Sequence, residues 1–316
     1  MFKILLICPF FGEFPKFQFP LWLQSCKYNP SINWLVVTDD KTKYDYPLNV
    51  KVLYTEWEEF TKRVKSCFDF HVTLDRPYKL CDYKPLYGII FKDEIEGYDF
   101  WGYTDSSDTV YGNLRKFLTE ELLSKSEKVC KLGHFTLFRN TPEINARYSL
   151  KTNYDTTFKD VFSVDTYLDI FSTDNSLAFD EFGPNSINRI YKEYGYTITE
   201  PDETFCFDIA PATGVHNFMR SILHESWMHY WLPETHGWLI LWKKGKLYAL
   251  WRSGFKIKKK EIGYVHFQKR KMSGTVPFDT PFLIVPNKFI KAPILFTVFH
   301  FLYYSYYNPI YRKRYN

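Results

Sequence analysis

Three short apolar runs, Lys3–Cys8, Asn33–Thr38 and Tyr98–Thr104, each stop abruptly at polar or turn residues, and this pattern constrains the fold more than any other feature. The runs are continuous rather than alternating. A strand covered on both faces reads that way, and strands covered on both faces belong to parallel sheets layered with helices. Val50–Tyr54 reads as a further strand. Between the runs, Pro20–Tyr28 has the length and spacing of a short helix. Thr55 and Glu58 are spaced as a capping box ahead of Phe60, Val64 and Phe68, which predicts a second helix. Asp82 is placed to cap a third through Ile89, Ile90 and Phe91, and Leu114–Leu123 reads as an amphipathic helix. The succession β-α-β-β-α-β-α predicts an α/β fold with a mostly parallel central sheet flanked by helices. Ligands of such sheets bind beyond the carboxyl ends of the strands. Pro9-Phe10-Phe11-Gly12, Thr38-Asp39-Asp40 and Asp105-Ser106-Ser107-Asp108 should then share one rim.

The second half is less regular. Leu239–Trp242 and Lys246–Trp251 predict a hairpin turning at Lys244-Gly245, and Gly263–Gln268 a further strand. Charge is concentrated here. Lys243–Lys271 holds 11 Lys/Arg against the single acid Glu261, so the net +5 of the chain hides −5 over the remaining residues. Such a basic segment implies an anionic partner. No recognition helix, zinc finger or RNP-like strand accompanies it, so nucleic acid is not the expected partner. Ala292–Tyr311 lacks Asp, Glu, Lys and Arg, is rich in Tyr, and runs into Arg312-Lys313-Arg314. The tail 273–316 therefore reads as an irregular basic and aromatic extension, either an interfacial membrane segment or a terminal helix packed on the core. The cysteines (8, 26, 67, 81, 130, 206) form no Cys-x-x-Cys pair and no zinc-type cluster. The apolar run Ile4–Cys8 is too short for a signal peptide, so a reducing cytoplasmic setting is expected.

The sequence contains neither G-x-G-x-x-G nor a P-loop, which disfavours a dinucleotide fold and a P-loop enzyme. The strongest chemical signal is Trp101-Gly102-Tyr103-Thr104-Asp105-Ser106-Ser107-Asp108. Two carboxylates after an apolar strand suit Mg²⁺ or Mn²⁺ bridging a diphosphate; the plain alternative is a turn in which both acids cap backbone amides. Asp39 is placed to accept hydrogen bonds from a base or ribose, with Phe10 or Phe11 against the base, or else is a loop aspartate beside two core phenylalanines. Lys79, Asp82 and Lys84 are candidates for ribose and phosphate contacts on the same rim. Asp180-Glu181 could supply a catalytic carboxylate at the acceptor or cap the helix through Ile187 and Ile190, and Asp208 is a weaker candidate of the same kind.

The Asp105–Asp108 segment resembles the Asp-x-Asp element of nucleotide-sugar glycosyltransferases of the GT-A fold. More broadly, residues 1 to about 272 resemble a bacterial family of capsule and exopolysaccharide glycosyltransferases. The likeness is carried by Pro9-Phe10-Phe11-Gly12, Pro77–Pro85, Asp99–Gly102, Gly112–Phe117, Gly133-His134-Phe135-Thr136-Leu137, Phe179–Phe182 and Val265–Arg270. It implies a GT-A-like domain over 1–272, with a donor half of about 1–125 and an acceptor half of about 126–272. It also implies a UDP-linked or related nucleotide-sugar donor, and Mn²⁺ or Mg²⁺ held by Asp105, Asp108 and His266. Lys269 and Arg270 would lie on the diphosphate. One departure matters: two serines separate the acids where the family has one residue. Either the loop bulges so that both acids reach the metal, or Asp105 acts alone.

The expectation is thus a cytoplasmic transferase, peripheral to the inner membrane, that moves a sugar to a surface-polysaccharide or lipid-linked glycan. The rivals are a nucleotidyltransferase and a non-catalytic carbohydrate- or membrane-binding protein. Of the glycine-rich loop usual in the first, Pro9–Pro15 offers only Gly12.

Overall fold

A computed structural model describes residues 1–155, 157–164, 186–209, 218–220, 239–267, 272–277, 279–285 and 288–304, the side chains of 208, 209 and 218–220 aside. The principal sheet contains β1 (Ile4–Pro9), β2 (Ile32–Thr38), β3 (Val50–Tyr54), β4 (Phe100–Thr104), β6 (Lys128–Leu132), β7 (Phe135–Arg139) and β8 (Ile198–Thr199). Its strand order is β3-β2-β1-β4-β7-β6-β8. The first four strands are mutually parallel, β7 runs antiparallel to β4 and β6, and β8 is parallel to β6. The fold is mixed α/β with a mostly parallel sheet.

The unbroken apolar runs have the expected cause. Ile4, Leu6 and Cys8 of β1 face one core with Phe19, Trp22 and Cys26 of α1 (Phe19–Lys27). Leu5 and Ile7 face the opposite core, with Phe60 and Val64 of α2 (Trp57–Ser66) and with Leu80–Phe91. Ile4, Leu5, Leu6 and Ile7 are all at most 2% exposed. Burying side chains of this kind contributes about 1.5–3 kcal/mol each, so the central strand, rather than the rim loops, anchors the sheet.

Two further sheets are present among the described residues. β10 (Phe218–Arg220), β9 (Cys206–Ile209), β14 (Tyr264–His266) and β5 (Thr109–Tyr111) form a four-stranded sheet in that order. β13 (Lys256–Ile262), β12 (Lys246–Ser253), β11 (Leu239–Lys243), β15 (Phe282–Val285) and β16 (Lys288–Lys291) form a five-stranded antiparallel one. The predicted turn at Lys244-Gly245 is present, both residues having positive φ as a two-residue hairpin requires. The segment from 273 supplies β15 and β16, so this part of the predicted extension is woven into a sheet.

Three helix predictions need correction. The N-cap of α2 is Glu56, and the Thr55 hydroxyl donates to the Glu56 carbonyl, so the Thr55/Glu58 box does not form. Pro77–Ile90 is a chain of single helical turns rather than one helix capped at Asp82; the third of these turns starts at Lys84 with Pro85 as its second residue. Leu114–Leu123 is likewise broken. Leu114–Lys116 is one 3₁₀ turn, and Thr119 caps a new helix by accepting from Leu122 N at 3.1 Å.

Candidate functional site

Because β2, β1 and β4 are adjacent and parallel, their carboxyl ends lie along one edge, and the three predicted loops share a rim. Pro9 ends β1 opposite Val37, and the Phe10 amide continues the ladder to the Val37 carbonyl at 2.8 Å. Asp39 fastens two of the loops: its Oδ1 accepts from Gly12 N at 2.7 Å, with Gly12 at φ +101°. Asp40, mostly buried, accepts from the amides of Phe14 and Thr42. Phe10 stacks on Phe14, centroids 4.6 Å apart, and Phe11 packs edge-on to Trp57 at 4.9 Å. Both rings are half-buried, so each combines a packing role with a position on the rim.

The third loop is where the chain leaves the principal sheet for the second. Asp105–Asp108 joins β4 to β5, and β5 pairs antiparallel with β14, which sets His266 opposite Thr109. The Phe267 amide donates to the Asp108 carbonyl at 2.6 Å, closing that register. His266 Nε2 therefore stands 3.5 Å from Asp105 Oδ2. Lys84, from the broken helical segment, places Nζ 3.2 Å from Asp105 Oδ1 and donates to the Gly133 carbonyl at 2.6 Å. Gly133-His134 is the β6–β7 turn, and the His134 ring stacks on His266 with centroids 3.9 Å apart and planes 17° from parallel. His134 Nδ1 also shares a hydrogen bond with the Tyr264 hydroxyl at 3.0 Å. Three separate segments thus converge on the carboxylate carried by a fourth.

The Asp105 side chain keeps about a third of its surface open, while Lys84 and His266 are mostly covered. Desolvation raises the Asp105 pKa, but Lys84, then His266 and His134, outweigh it and hold the carboxyl well below its ordinary range. The floor beneath is polar and closed. Thr109 Oγ1 donates to the Asp105 carbonyl at 2.7 Å, and the Tyr111 hydroxyl lies 2.7 Å from Thr104 Oγ1 and accepts from Trp22 Nε1 at 3.2 Å. Cys8 lies buried nearby. Burial, then the Asp105 charge, push its thiol well up, which excludes it as a thiolate nucleophile.

The expected metal set is only partly assembled. Asp105 and His266 come as close as two ligands sharing an ion, but Asp108 Oδ1 accepts from Gln18 Nε2 at 3.3 Å instead of joining them. Among the described residues, no group of three His, Cys, Asp or Glu side chains is arranged to hold a metal. Ser106 and Ser107 are the reason. Both are buried, so the loop folds inward between the acids and gives them different partners. Among the described residues the Ser106 hydroxyl has no hydrogen-bond partner. Among the described residues a three-ligand site is therefore not formed. An ion carried in on a diphosphate needs only one or two protein ligands, and one carboxylate with one imidazole fits that case.

Lys79 and Asp82 do not lie on the rim. Lys79 Nζ pairs with Asp82 Oδ2 at 2.7 Å and donates to the Val161 carbonyl at 2.9 Å, both side chains at most 1% exposed, so the pair ties Pro77–Tyr83 to the segment ending at Phe162. Asp180, Glu181, Lys269 and Arg270 lie outside the described residues. The helix after Asp180, Ile187–Glu193, is capped by Ser186, whose hydroxyl accepts from Arg189 N, so Asp180 is not its cap. Asp208 falls opposite His266 in the parallel β9–β14 pairing, which puts it in the same row of the sheet. Sequence reasoning missed His134, Tyr264 and Gln18 as site residues. For His134 a signal existed, its place in the Gly133–Leu137 motif.

The sequence profile of a family of unknown function, DUF6625, matches residues 6–293. The chain belongs to this family. No curated protein matches it. The span shared with DUF6625 includes Lys84, Asp105, His134 and His266, and it reaches past β16, so the five-stranded sheet belongs to the family's common unit.

Proposed function

We propose that this chain is a glycosyltransferase of the GT-A type that takes a sugar from a nucleotide sugar, UDP-linked, and passes it to a lipid-linked or surface-polysaccharide glycan on the cytoplasmic side of the membrane. The observation that carries this reading is the meeting of Asp105, at the end of β4, with His266 of β14 and Lys84, beside a rim built from the ends of β1 and β2. Ligands of open α/β sheets lie along such a rim. In this reading Asp39 and the Phe10 ring stand at the nucleoside end, and the Lys84–Asp105–His266–His134 cluster stands at the diphosphate.

Each residue of the cluster has a distinct task. Asp105 stays ionised and holds Lys84 and His266 in place. Lys84, pinned by the Gly133 carbonyl, keeps a positive charge beside the departing diphosphate. His134 fixes the plane of the His266 ring. A Mn²⁺ or Mg²⁺ arriving with the donor would be held by Asp105 and His266 and would neutralise charge on the leaving group. Lys269 and Arg270 follow His266 by three and four residues, a covalent reach of about 10–14 Å from its backbone, and are the cations assigned to the outer phosphate. Asp180 or Glu181 remains the assigned base for the acceptor hydroxyl.

The test is a donor screen. The full chain is incubated with UDP-, GDP- and CMP-sugars, with and without Mn²⁺, and release of nucleotide is followed. Turnover of one UDP-sugar by the parent chain, lost in a folded Asp105→Asn variant, supports the reading; no release from any donor under either condition rejects it.

A further inference from the structure

Lys84 is held more firmly than a lysine at the edge of a site ordinarily is. Its Nζ stands 3.2 Å from Asp105 Oδ1, donates to the Gly133 carbonyl at 2.6 Å and lies 5.6 Å from the centroid of the Tyr103 ring. The side chain is 13% exposed. A long side chain so enclosed has given up its rotamer freedom before any ligand arrives. Its backbone is fixed as well. Lys84 opens a single 3₁₀ turn whose second residue is Pro85, and the Leu86 and Tyr87 side chains that follow are buried in one core with Tyr103.

The carboxylate that holds Lys84 is also the one a divalent ion would need. Asp105 Oδ2 faces His266 Nε2 at 3.5 Å, and Oδ1 faces the ammonium, so both oxygens are engaged. Mg²⁺ and similar ions bind through one or two carboxylates together with substrate phosphates. Here Lys84 already offsets the charge of Asp105, while Asp108 accepts from Gln18 instead of adding to it. An ion shared by Asp105 and His266 would stand beside the ammonium, and two cations on one carboxylate repel. A plain alternative is that Lys84 only balances the charge of Asp105. That role predicts a loss of stability when Lys84 is removed and no change in the response to a metal, so the two roles separate by experiment.

We propose that Lys84 stands in for the divalent ion: the ammonium fixed between Asp105, Gly133 and Tyr103 is the cation that meets the nucleotide diphosphate, and the donor binds without Mn²⁺ or Mg²⁺. An ion arriving with the donor can still take Asp105 and His266, but binding does not depend on it. The inference rests on the nucleotide-sugar reading of the rim and deepens it by assigning the charge that the diphosphate encounters. A lysine is a compact point charge suited to phosphate. Removing it frees Asp105 Oδ1 and leaves a carboxylate and an imidazole with no ammonium beside them. The change that weakens donor binding should therefore create affinity for a metal.

Two titrations on the full chain test this. UDP is titrated calorimetrically, in EDTA and in Mn²⁺, into the parent, Lys84→Met and Lys84→Arg. Mn²⁺ alone is titrated into each, with the free ion followed by electron paramagnetic resonance. The parent should bind UDP with about equal affinity in the two buffers, and Lys84→Arg, which keeps the charge, should be as indifferent to Mn²⁺. Lys84→Met should lose about a hundredfold in EDTA and only about tenfold in Mn²⁺, the worth of a charged hydrogen bond and of its partial replacement. It should also take up Mn²⁺ alone more tightly than the parent does, by about tenfold. A parent that binds UDP much more tightly in Mn²⁺ than in EDTA overturns the proposal and leaves the nucleotide-sugar reading standing. So does a folded Lys84→Met that is equally weak in both buffers. A parent that binds no UDP in either buffer removes the reading and the proposal with it. If circular dichroism shows Lys84→Met unfolded, Lys84→Gln carries the comparison, and the parent in its two buffers still decides.

Discussion

Changing Asp82 to Asn separates a structural role from a ligand-binding one. The Asp82 carboxylate is the ionic partner of Lys79 Nζ at 2.7 Å, and the pair is shut off from solvent. Asn keeps the shape and removes the charge, so a buried ammonium is left with the Val161 carbonyl and an amide oxygen. Breaking one half of a buried pair costs about 3–5 kcal/mol. Unfolding entropy of about 2.1 cal/mol/K per residue gives roughly 0.66 kcal/mol/K for 316 residues, so Tm should fall by about 5–8 °C. Lys79→Met/Asp82→Leu removes both charges and should recover most of that loss. Thermal unfolding of the three proteins, read by circular dichroism, gives the comparison, and UDP affinity of each folded protein gives the control. An Asp82→Asn variant with Tm unchanged within 2 °C and UDP binding abolished would refute the structural assignment and return Asp82 to the rim.

Three further outcomes follow from the same geometry. The folded-state pKa of Asp105 lies below its unfolded value near 4, so its contribution to stability is present above about pH 4 and is lost as pH falls further. The Tm difference between the parent and Asp105→Asn should accordingly shrink as pH is lowered below 4; a difference that keeps growing from pH 4 to pH 2 contradicts the pairing. His134→Ala removes the ring that flanks His266 and should weaken UDP binding roughly five- to tenfold, the worth of one ring contact, without a comparable fall in Tm. Gly102→Ala should fail to fold or lose well over 3 kcal/mol in a denaturant titration, because a Cβ there would overlap the Thr136 carbonyl of the adjacent strand; a stable variant would mean that β4 and β7 are not packed as described.

How much of this was legible in the sequence depends on whether a feature is local. β1, β2 and β4 are legible within two residues because burial on both faces leaves an unbroken apolar run, and their order brings three predicted loops to one edge; β3, at the sheet's edge with Lys51 exposed, is legible from its short β-branched pattern alone. The helices were less legible where local signals competed. Thr119 reads as an interior position until its hydroxyl is seen capping Leu122, and Pro85 interrupts a run whose apolar spacing is otherwise helical. The Lys79–Asp82 pair looked like rim chemistry because spacing cannot report burial. His266 was found by its neighbours in sequence. His134 was not assigned, because its stacking on His266 joins a hairpin turn to a strand far along the chain. The sequence leaves open whether Asp108 joins Asp105 or Asp105 acts alone, and only the fold of the loop, with Ser106 and Ser107 buried, gives the two acids different partners.

The most direct test of the central claim is calorimetric titration of UDP into the parent chain and into Lys84→Met, Asp105→Asn and His266→Ala, each in EDTA and in Mn²⁺. Saturable one-site binding by the parent, weakened ten- to a hundredfold in each variant while the fold survives, is the predicted result. Absence of UDP binding in both buffers, or binding indifferent to all three substitutions, would contradict it.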